Sequence, residues 1–533
     1  MVEPVALLSG EGVSLADIDV VLVGQLHCHR AGGGSLERTN YDTFDARLWR
    51  AGLVLEHEKI DGRRWLRVRR LGETSALAQA AVERVPTLVA DLADRRLREL
   101  LTAAAGERAL LPLVKTEGEV LRYAPLDEFD KSTVRVSVLI GAAMAVEGPS
   151  ERKHLLEPVI TIAPLRGHER SHRAMVRAIS DRLGQRHAAD PLERAAAAVG
   201  LELGLNPSDR SVSLDAAGSA TEAMAMLLGR HAAVLEANVP GVRSGVDDEY
   251  LHDFRVTLRS VRALVSVAHG VLDEERCSDL ADRLQQVATR SSPVRDLDVL
   301  RRRWNGEDAL HLLVPVLEQD RRIKNQLLLE FLDGPALPAL LAELRRPVAV
   351  LPAEDDGVVV RNAAMWAAEV LSAELARLHR RTRPVLASLA HGGDPAPGGY
   401  DEVAVHDARK AVKRLRYLLE AFASITYGAR LEGLARAVDV LQSDLGEFQD
   451  AVVAIMAIDR SGARVAELSP GALMELGRRS EQHCQLREAA VGHFIEHYRA
   501  FARRGEHYAQ RLEALATTAR PVSVPIAIVR SKP

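Results

Sequence analysis

Aromatic residues are scarce in this 533-residue chain, with Phe, Trp and Tyr together making only 4%. Proteins that grip single-stranded nucleic acid stack the bases on such rings, so that class of partner is disfavoured. An overall positive charge is missing too. The formal net charge is −4, which argues against a generally basic nucleic-acid coat and requires any polyanion site to be local. The three cysteines, Cys28, Cys277 and Cys484, lie far apart with no C-x-x-C spacing. They form no disulfide framework, and a reducing cytoplasm is the simpler expectation. No uninterrupted apolar run is long enough to span a bilayer, and MVEPVALLSGEGVSL lacks a basic segment before an apolar one. Neither membrane insertion nor export is expected. What the chain does have is 47% apolar residues, enough to bury large cores in two or more domains.

Two textures divide it. Up to about residue 200, short β-branched runs (IDVVLVG, WLRVRR, VRVSVLIG, PVITIAP) alternate with turn residues and read as strands. Ser75 to Ala105, broken at Pro86, and His172 to Arg186 read as helices packed on them. His27 and His29 share a face if on a strand, but no further ligand can be named beside them, so they read as a strand end before the turn-like AGGGS. In DGRRWLRVRR, the charges Arg63, Arg64, Arg67, Arg69 and Arg70 could contact an anion, but the favoured reading is that alternation simply places Arg67 and Arg69 on the wet face. From Ala220 onward helical periodicity dominates. The expected divisions are 1–203, a polar linker at 204–216, a helical domain at 217–515 in halves of about 217–345 and 358–515, and a tail at 516–533.

The most informative stretch is Tyr250 to Val267, YLHDFRVTLRSVRALVSV. His252, Arg255, Arg259 and Arg262 step by three, four and three, so on a helix they fall within an arc of about 80°. Beside them Phe254, Leu258, Val261 and Val265 form the buried seam of the same helix. The pattern recurs 154 residues later as His406, Arg409, Lys413 and Arg416, with Ala408, Val412, Leu415 and Leu419 as the seam. Asp296 in PVRDLDVL maps onto Asp450 in EFQDAVVA by the same offset. Two like halves should therefore set two cationic helices in related positions. Lys410 and Arg414 are extra charges in the second copy whose counterparts, Val256 and Ser260, carry none. A solvated face is the ordinary fate of one basic helix, and internal ion pairing is another. Duplication in register favours a ligand instead.

The doubled His-x2-Arg-x3-Arg/Lys-x2-Arg pattern with its Arg-Asp-Leu-Asp-Val segment resembles the CHAD domain, an all-α module of two repeated helical-bundle halves. That resemblance implies binding of inorganic polyphosphate through a basic central channel. It places contacts at His252, Arg255, Arg259, Arg262, His406, Arg409, Lys413 and Arg416, with Lys410 and Arg414 as further candidates. Arginine suits such a ligand through forked hydrogen bonds and lysine as a compact charge. His252 to Arg262 spans about 15 Å, enough to follow several phosphates. The histidines would serve as extra donors when protonated. Asp296 and Asp450 are expected to orient arginines or cap helices rather than touch a polyanion.

The N-terminal part resembles, less closely, the CYTH or triphosphate-tunnel fold, an α+β antiparallel barrel. The resemblance rests on TNYDTFDARLWRAGLVLEHEK, DGRRWLRVRR and EPVITIAPLRG. Active members of that family open with alternating Glu residues, whereas this chain reads GVSLADIDVVLVG, and Glu56 and Glu58 stand where arginines are expected. A tunnel without a carboxylate ladder lacks the oxygen ligands that hard cations require. The expectation is a non-catalytic protein with no metal and no cofactor, located in the cytoplasm and on polyphosphate granules. The competing readings are a metal-dependent triphosphatase or cyclase in the barrel, and nucleic-acid binding by the stripes.

Overall fold

The computed structural model describes residues 5–8, 13–125, 132–146, 152–183, 186–187, 189–304, 313–348, 361–390, 400–426, 431–462 and 470–518. The chain divides into two compact units, Met1–Pro207 and Ser208–Pro533. Residues 349–360, which include the stretch between the two expected halves, residues 391–399, and the tail from 519 lie outside the described residues.

In the first unit the order is β1 (Val5–Leu8), α1 (Leu15–Asp19), β2 (Cys28–Asp42), α2 (Arg47–Arg50), β3 (Leu53–Ile60), β4 (Arg63–Arg70) and β5 (Ala76–Ala81). Then come α3 (Arg95–Ala105), β6 (Leu111–Pro125), β7 (Val134–Ala145), β8 (His154–Pro164), α4 (Glu169–Leu183), β9 (Arg186–His187) and α5 (Pro191–Ala198). The strands form one sheet in the order β5-β4-β3-β2-β6-β7-β8-β1-β9, with antiparallel pairing throughout. Arg69 on β4, near one edge, meets Asp190 just past β9 at the other, Nη1 to Oδ2 2.5 Å. The sheet therefore curls on itself, and among the described residues its ends are joined by side chains rather than by a ladder.

Three local expectations are corrected here. IDVVLVG is not a strand: Ser14 caps α1, its hydroxyl accepting from Asp17 N while Asp17 Oδ2 accepts from Ser14 N at 2.8 Å. This reciprocal cap starts a helix that runs on as a π-helical turn over Val20–Gln25. AGGGS is not a turn but part of β2, where Gly32 (φ 124°) supplies the backbone for a bulge between Arg30 and Gly32. The start of Ser75 to Ala105 is strand β5, and helix begins only at Arg95, behind its Asp94 cap.

The second unit is helical: α6 (Ala220–Ser244), α7 (Glu249–Val265), α8 (Glu274–Trp304), α9 (Val314–Asp333), α10 (Ala336–Arg345), α11 (Ala363–Ala390), α12 (Glu402–Ala421), α13 (Ala423–Thr426), α14 (Glu432–Gly462), α15 (Pro470–Ala502) and α16 (Gly505–Thr518). Its packing repeats. In the first half α6 packs on α7, α7 on α8, α8 on α9, and α10 returns to α6. The second half has α11 on α12, α12 on α14, α14 on α15, and α16 back on α11. The halves meet where α7 lies against α12. Every seam residue read from the sequence is buried, from Phe254, Leu258, Val261 and Val265 to Ala408, Val412, Leu415 and Leu419. The fold is thus an α+β unit built on one antiparallel sheet, followed by an all-α unit of two repeated bundles. No described helix is long and apolar enough to cross a membrane.

Candidate functional site

With their seams buried, α7 and α12 are left with cationic stripes on an adjoining face, and α8 and α14 supply the rest of the lining. The four helices enclose a cavity of about 250 Å³. From α7 it is lined by His252, Arg255 and Arg259, and from α12 by Arg409 and Lys413. Helix α8 adds Arg295, Asp296 and Arg303, and α14 adds Gln442, Gln449 and Asp450. Arg255 and Arg409, Arg259 and Lys413, Arg295 and Gln449, and Asp296 and Asp450 are pairs related by the 154-residue offset. The lining is thus built as a near-twofold.

Charge in this cavity is poorly neutralised. Among the described residues Arg255, Arg259, Arg409 and Lys413 make no ion pair with a carboxylate. Arg255 is only 6% exposed, and its Nε has no hydrogen-bond acceptor. Arg409 Nε donates to the carbonyl of Leu445 at 3.1 Å. Burial, then the neighbouring Arg259 charge, lowers both Arg255 and Arg409 to about 10. Burial, then Arg409 and Arg259, brings Lys413 down to about 7. His252 falls to about 4 through burial and then Arg295, so it stands neutral at pH 7 rather than as a ready cationic donor. Residues of the second half feel Arg259 of the first because the two stripes face each other. These shifts show cations held close together with few counter-charges.

The remaining residues of the sequence reading lie elsewhere. Arg262 is exposed and donates to Gln285 Oε1 at 2.7 Å. Arg416, its counterpart, pairs with Glu420 at 3.1 Å. Lys410 is exposed beside Asp407 at 3.2 Å, and Arg414 pairs with buried Glu374 at 2.9 Å. His406 is exposed, outside the cavity lining. The last step of each stripe thus turns out of the cavity in both halves, and the second half also withholds its histidine. Asp296 and Asp450 sit mid-helix, so neither caps, and Asp450 reaches Arg303 at 3.5 Å rather than a stripe residue. Arg301, Arg302 and Arg321 are taken up by Asp248, at 2.9, 3.5 and 3.3 Å. Arg295, Arg303, Gln442 and Gln449 are lining residues that pattern reading passed over. The first stands beside Asp296 in the quoted PVRDLDVL, one helical position from a residue already singled out.

The sheet unit encloses a cavity of about 310 Å³ inside its curl, lined in part by Arg38, Glu56, Arg67, Arg69, Asp190 and Arg194. Here the charges cancel. Arg38 holds Glu58 at 2.7 Å, and Arg69 holds Glu56 at 2.9 Å as well as Asp190. Arg67 reaches Glu58 at 3.6 Å. The expectation that Arg67 and Arg69 lie on a wet face is corrected: Arg69 is 2% exposed, because the curl turns that face inward. With Glu56 and Glu58 engaged by arginines, the residues present do not suit the hard cation of triphosphate chemistry. Among the described residues no group of three or more His, Cys, Asp or Glu, at His27 and His29 or elsewhere, comes together as a metal site.

Residues 226–459 match the CHAD domain family model. The helical unit contains a CHAD domain. The chain is 27% identical over 206 residues to uncharacterized proteins of Mycobacterium tuberculosis, MT2285 and Rv2226, and spans 38% of the length of these curated relatives and 38% of its own. Solved structures similar to it include the CHAD domain from Ricinus communis (21% identity, 58% of this chain and 96% of that one, TM-score 0.38). PptA from Streptomyces chartreusis is another (18%, 53% and 100%, TM-score 0.39). A third is HpAC1 from Hippeastrum, described as having a dominant triphosphatase activity (11%, 38% and 96%, TM-score 0.26). The matched segment of the CHAD domain runs from within α6 to near the end of α14 and takes in all four cavity helices.

Proposed function

We propose that the protein binds inorganic polyphosphate without catalysing its turnover, in the cavity between the two halves of the CHAD domain. The observation that carries this is the convergence of Arg255, Arg259, Arg409 and Lys413 from both halves on one space, with no carboxylate paired to any of them. A solvated basic face would point outward, and an internal ion-pair network would have used these charges up. An anion with acceptor oxygens at every repeat and no other recognition feature is the ligand such a lining asks for. Each charge-assisted hydrogen bond contributes roughly 1.5–3 kcal/mol before ordering costs. At about 30 Å³ per water, a cavity of about 250 Å³ has room for a few phosphate groups. A long chain must therefore run out over the rim, and affinity should grow with chain length. Such a binder belongs in the cytoplasm, on polyphosphate granules.

The test is retention of the full chain on long-chain polyphosphate resin. Changing Arg255, Arg259, Arg409 and Lys413 together to Ala should abolish retention, and each single change should weaken it by about tenfold or more, one charge-assisted bond's worth. Arg262→Ala, whose guanidinium already has Gln285 as a partner, should cost less than any of the four. Unchanged retention of the quadruple variant would sink the reading.

A further inference from the structure

The four charges that converge on the cavity are not alike. By the 154-residue offset Lys413 of α12 answers to Arg259 of α7, so at this pair the near-twofold sets a lysine against an arginine. Among the described lining residues the other basic side chains are His252 and arginines. The difference is chemical. A guanidinium keeps its proton in water, whereas an amine that gives its proton up becomes a nucleophile. Lys413 is partly buried and makes no hydrogen bond or ion pair among the described residues. Burial, then Arg409 and Arg259, holds it at about 7, and Asp450, which pulls the other way, does not restore it. At pH 8 an ordinary lysine is neutral in about one copy in 300, but Lys413 is mostly neutral there.

What such an amine can attack is set by what the arginines admit. Guanidiniums hold a phosphate through forked hydrogen bonds and stabilise the charge it gains as a leaving group. An acyl phosphate carries an electrophilic carbonyl joined to its phosphate through one oxygen. We propose that the cavity also takes small acyl phosphates, with Arg255, Arg259 and Arg409 holding the phosphate and Lys413 Nζ accepting the acyl group. The Nζ lone pair attacks the carbonyl carbon and forms the C–N bond of an amide. The bond from that carbon to the bridging oxygen breaks, and inorganic phosphate leaves with the electron pair and takes the proton that Nζ sheds. One small phosphate is shared among three guanidiniums, so the amine stays free to react, whereas a long chain lays phosphate on the ammonium itself and blocks the reaction. Resting on the polyphosphate reading above, the acyl mark removes one of four converging cations and fills part of a cavity of about 250 Å³, so it turns polyphosphate binding down.

The experiment incubates the full chain with acetyl phosphate at pH 8 and reads acetylation residue by residue by mass spectrometry. Lys413 should react faster than the exposed Lys324 of α9 by about tenfold or more, its larger neutral fraction and the held phosphate outweighing its lower basicity. N-acetoxysuccinimide, an acetylating reagent without phosphate, should shrink that lead. Lys413 reacting no faster than Lys324, or favoured equally by both reagents, overturns the proposal and leaves polyphosphate binding untouched. The treated protein is then applied to long-chain polyphosphate resin. Acetylated native protein should lose retention by about tenfold or more, one charge-assisted bond's worth, while Lys413→Arg given the same treatment should keep its own. Equal loss in both places the effect on another residue and overturns the role of Lys413. If native protein is selectively acetylated at Lys413 but the untreated protein never binds the resin, the polyphosphate reading falls and acyl transfer to Lys413 stands.

Discussion

At the scale of single residues, Lys413 is the most informative. Its ammonium is lowered to about 7 by burial, then by Arg409 and Arg259. A bound polyanion reverses that balance and returns it toward its ordinary value of 10.5. Between pH 7 and about 10 the complex therefore holds more protons than the free protein, so binding takes up protons and affinity falls as pH rises through that window. The same linkage acts on folding: the unfolded chain binds more protons there, so this group's cost to stability shrinks as pH rises from 7 toward 10.5. Arg255 and Arg409, at about 10, extend the dependence upward. Calorimetry at pH 8 in buffers of different ionisation enthalpy should show uptake of roughly one proton per site, the change expected for a group moving from about 7 to above 10. Lys413→Arg should remove most of that uptake while keeping binding. Absence of uptake in the native protein would mean that Lys413 does not meet the anion. His252 works in a lower window: neutral at pH 7, it adds proton uptake and affinity only as pH falls toward 5.

At the scale of elements, helices whose seams repeat in register were legible, because a buried seam and a polar stripe at 3.6-residue spacing leave few alternatives. Hence α7 and α12 were found, and with them five of the side chains that line the cavity, His252, Arg255, Arg259, Arg409 and Lys413. Period alone does not say how far along a stripe the neighbouring helices reach, so Arg262 and Arg416 looked equivalent to residues inside. Helix ends were read less well. α8 runs through Pro293, and the hydroxyls of Ser291 and Ser292 bond the carbonyls of Val287 and Ala288 at 2.9 and 2.7 Å, next to where the proline interrupts the ladder. In the sheet unit, IDVVLVG was misread because β-branched content outweighed the capping signal Ser14-x-x-Asp17, although capping decides where a short helix starts. Tertiary contact also sets the entry to α7. Gly241 in α6 lies under the Tyr250 ring, where an added Cβ would stand 2.1 Å from the ring carbons. Gly241→Ala must push Tyr250, and with it the start of the helix that carries His252 and Arg255. A loss of about 1–3 kcal/mol is expected from such overpacking, read as a lower unfolding midpoint in urea. Polyphosphate retention should weaken in parallel. An Ala variant with native stability and retention would show that α7 is held in place by other contacts.

At the scale of the molecule, the two units dispose of their charges in opposite ways. In the CHAD domain, repetition gathers cations from both halves around one space, with Asp296 and Asp450 as the carboxylates of the lining and neither in an ion pair with Arg255, Arg259, Arg409 or Lys413. In the sheet unit, curling gathers arginines and carboxylates into one interior, where Arg38, Arg67 and Arg69 are matched by Glu56, Glu58 and Asp190. Buried pairs of this kind resist opening, because removing one partner strands the other charge in a dry setting. Desolvation of Glu56, offset first by Arg38 and then by Arg69, still leaves its carboxyl below its ordinary range, so it stays an anion beside arginines rather than a general acid. A triphosphate entering this cavity would have to displace carboxylates from the cations it needs, and a metal would have to displace arginines from the carboxylates it needs. The purified chain should therefore release no phosphate from tripolyphosphate with Mg²⁺ or Mn²⁺. Release that persists in the Arg255, Arg259, Arg409 and Lys413 quadruple Ala variant but disappears in Glu56→Gln would place turnover in the sheet unit and undo the assignment of a purely binding role. Release lost in the quadruple variant alone would place turnover in the CHAD cavity, with equal consequence for that role.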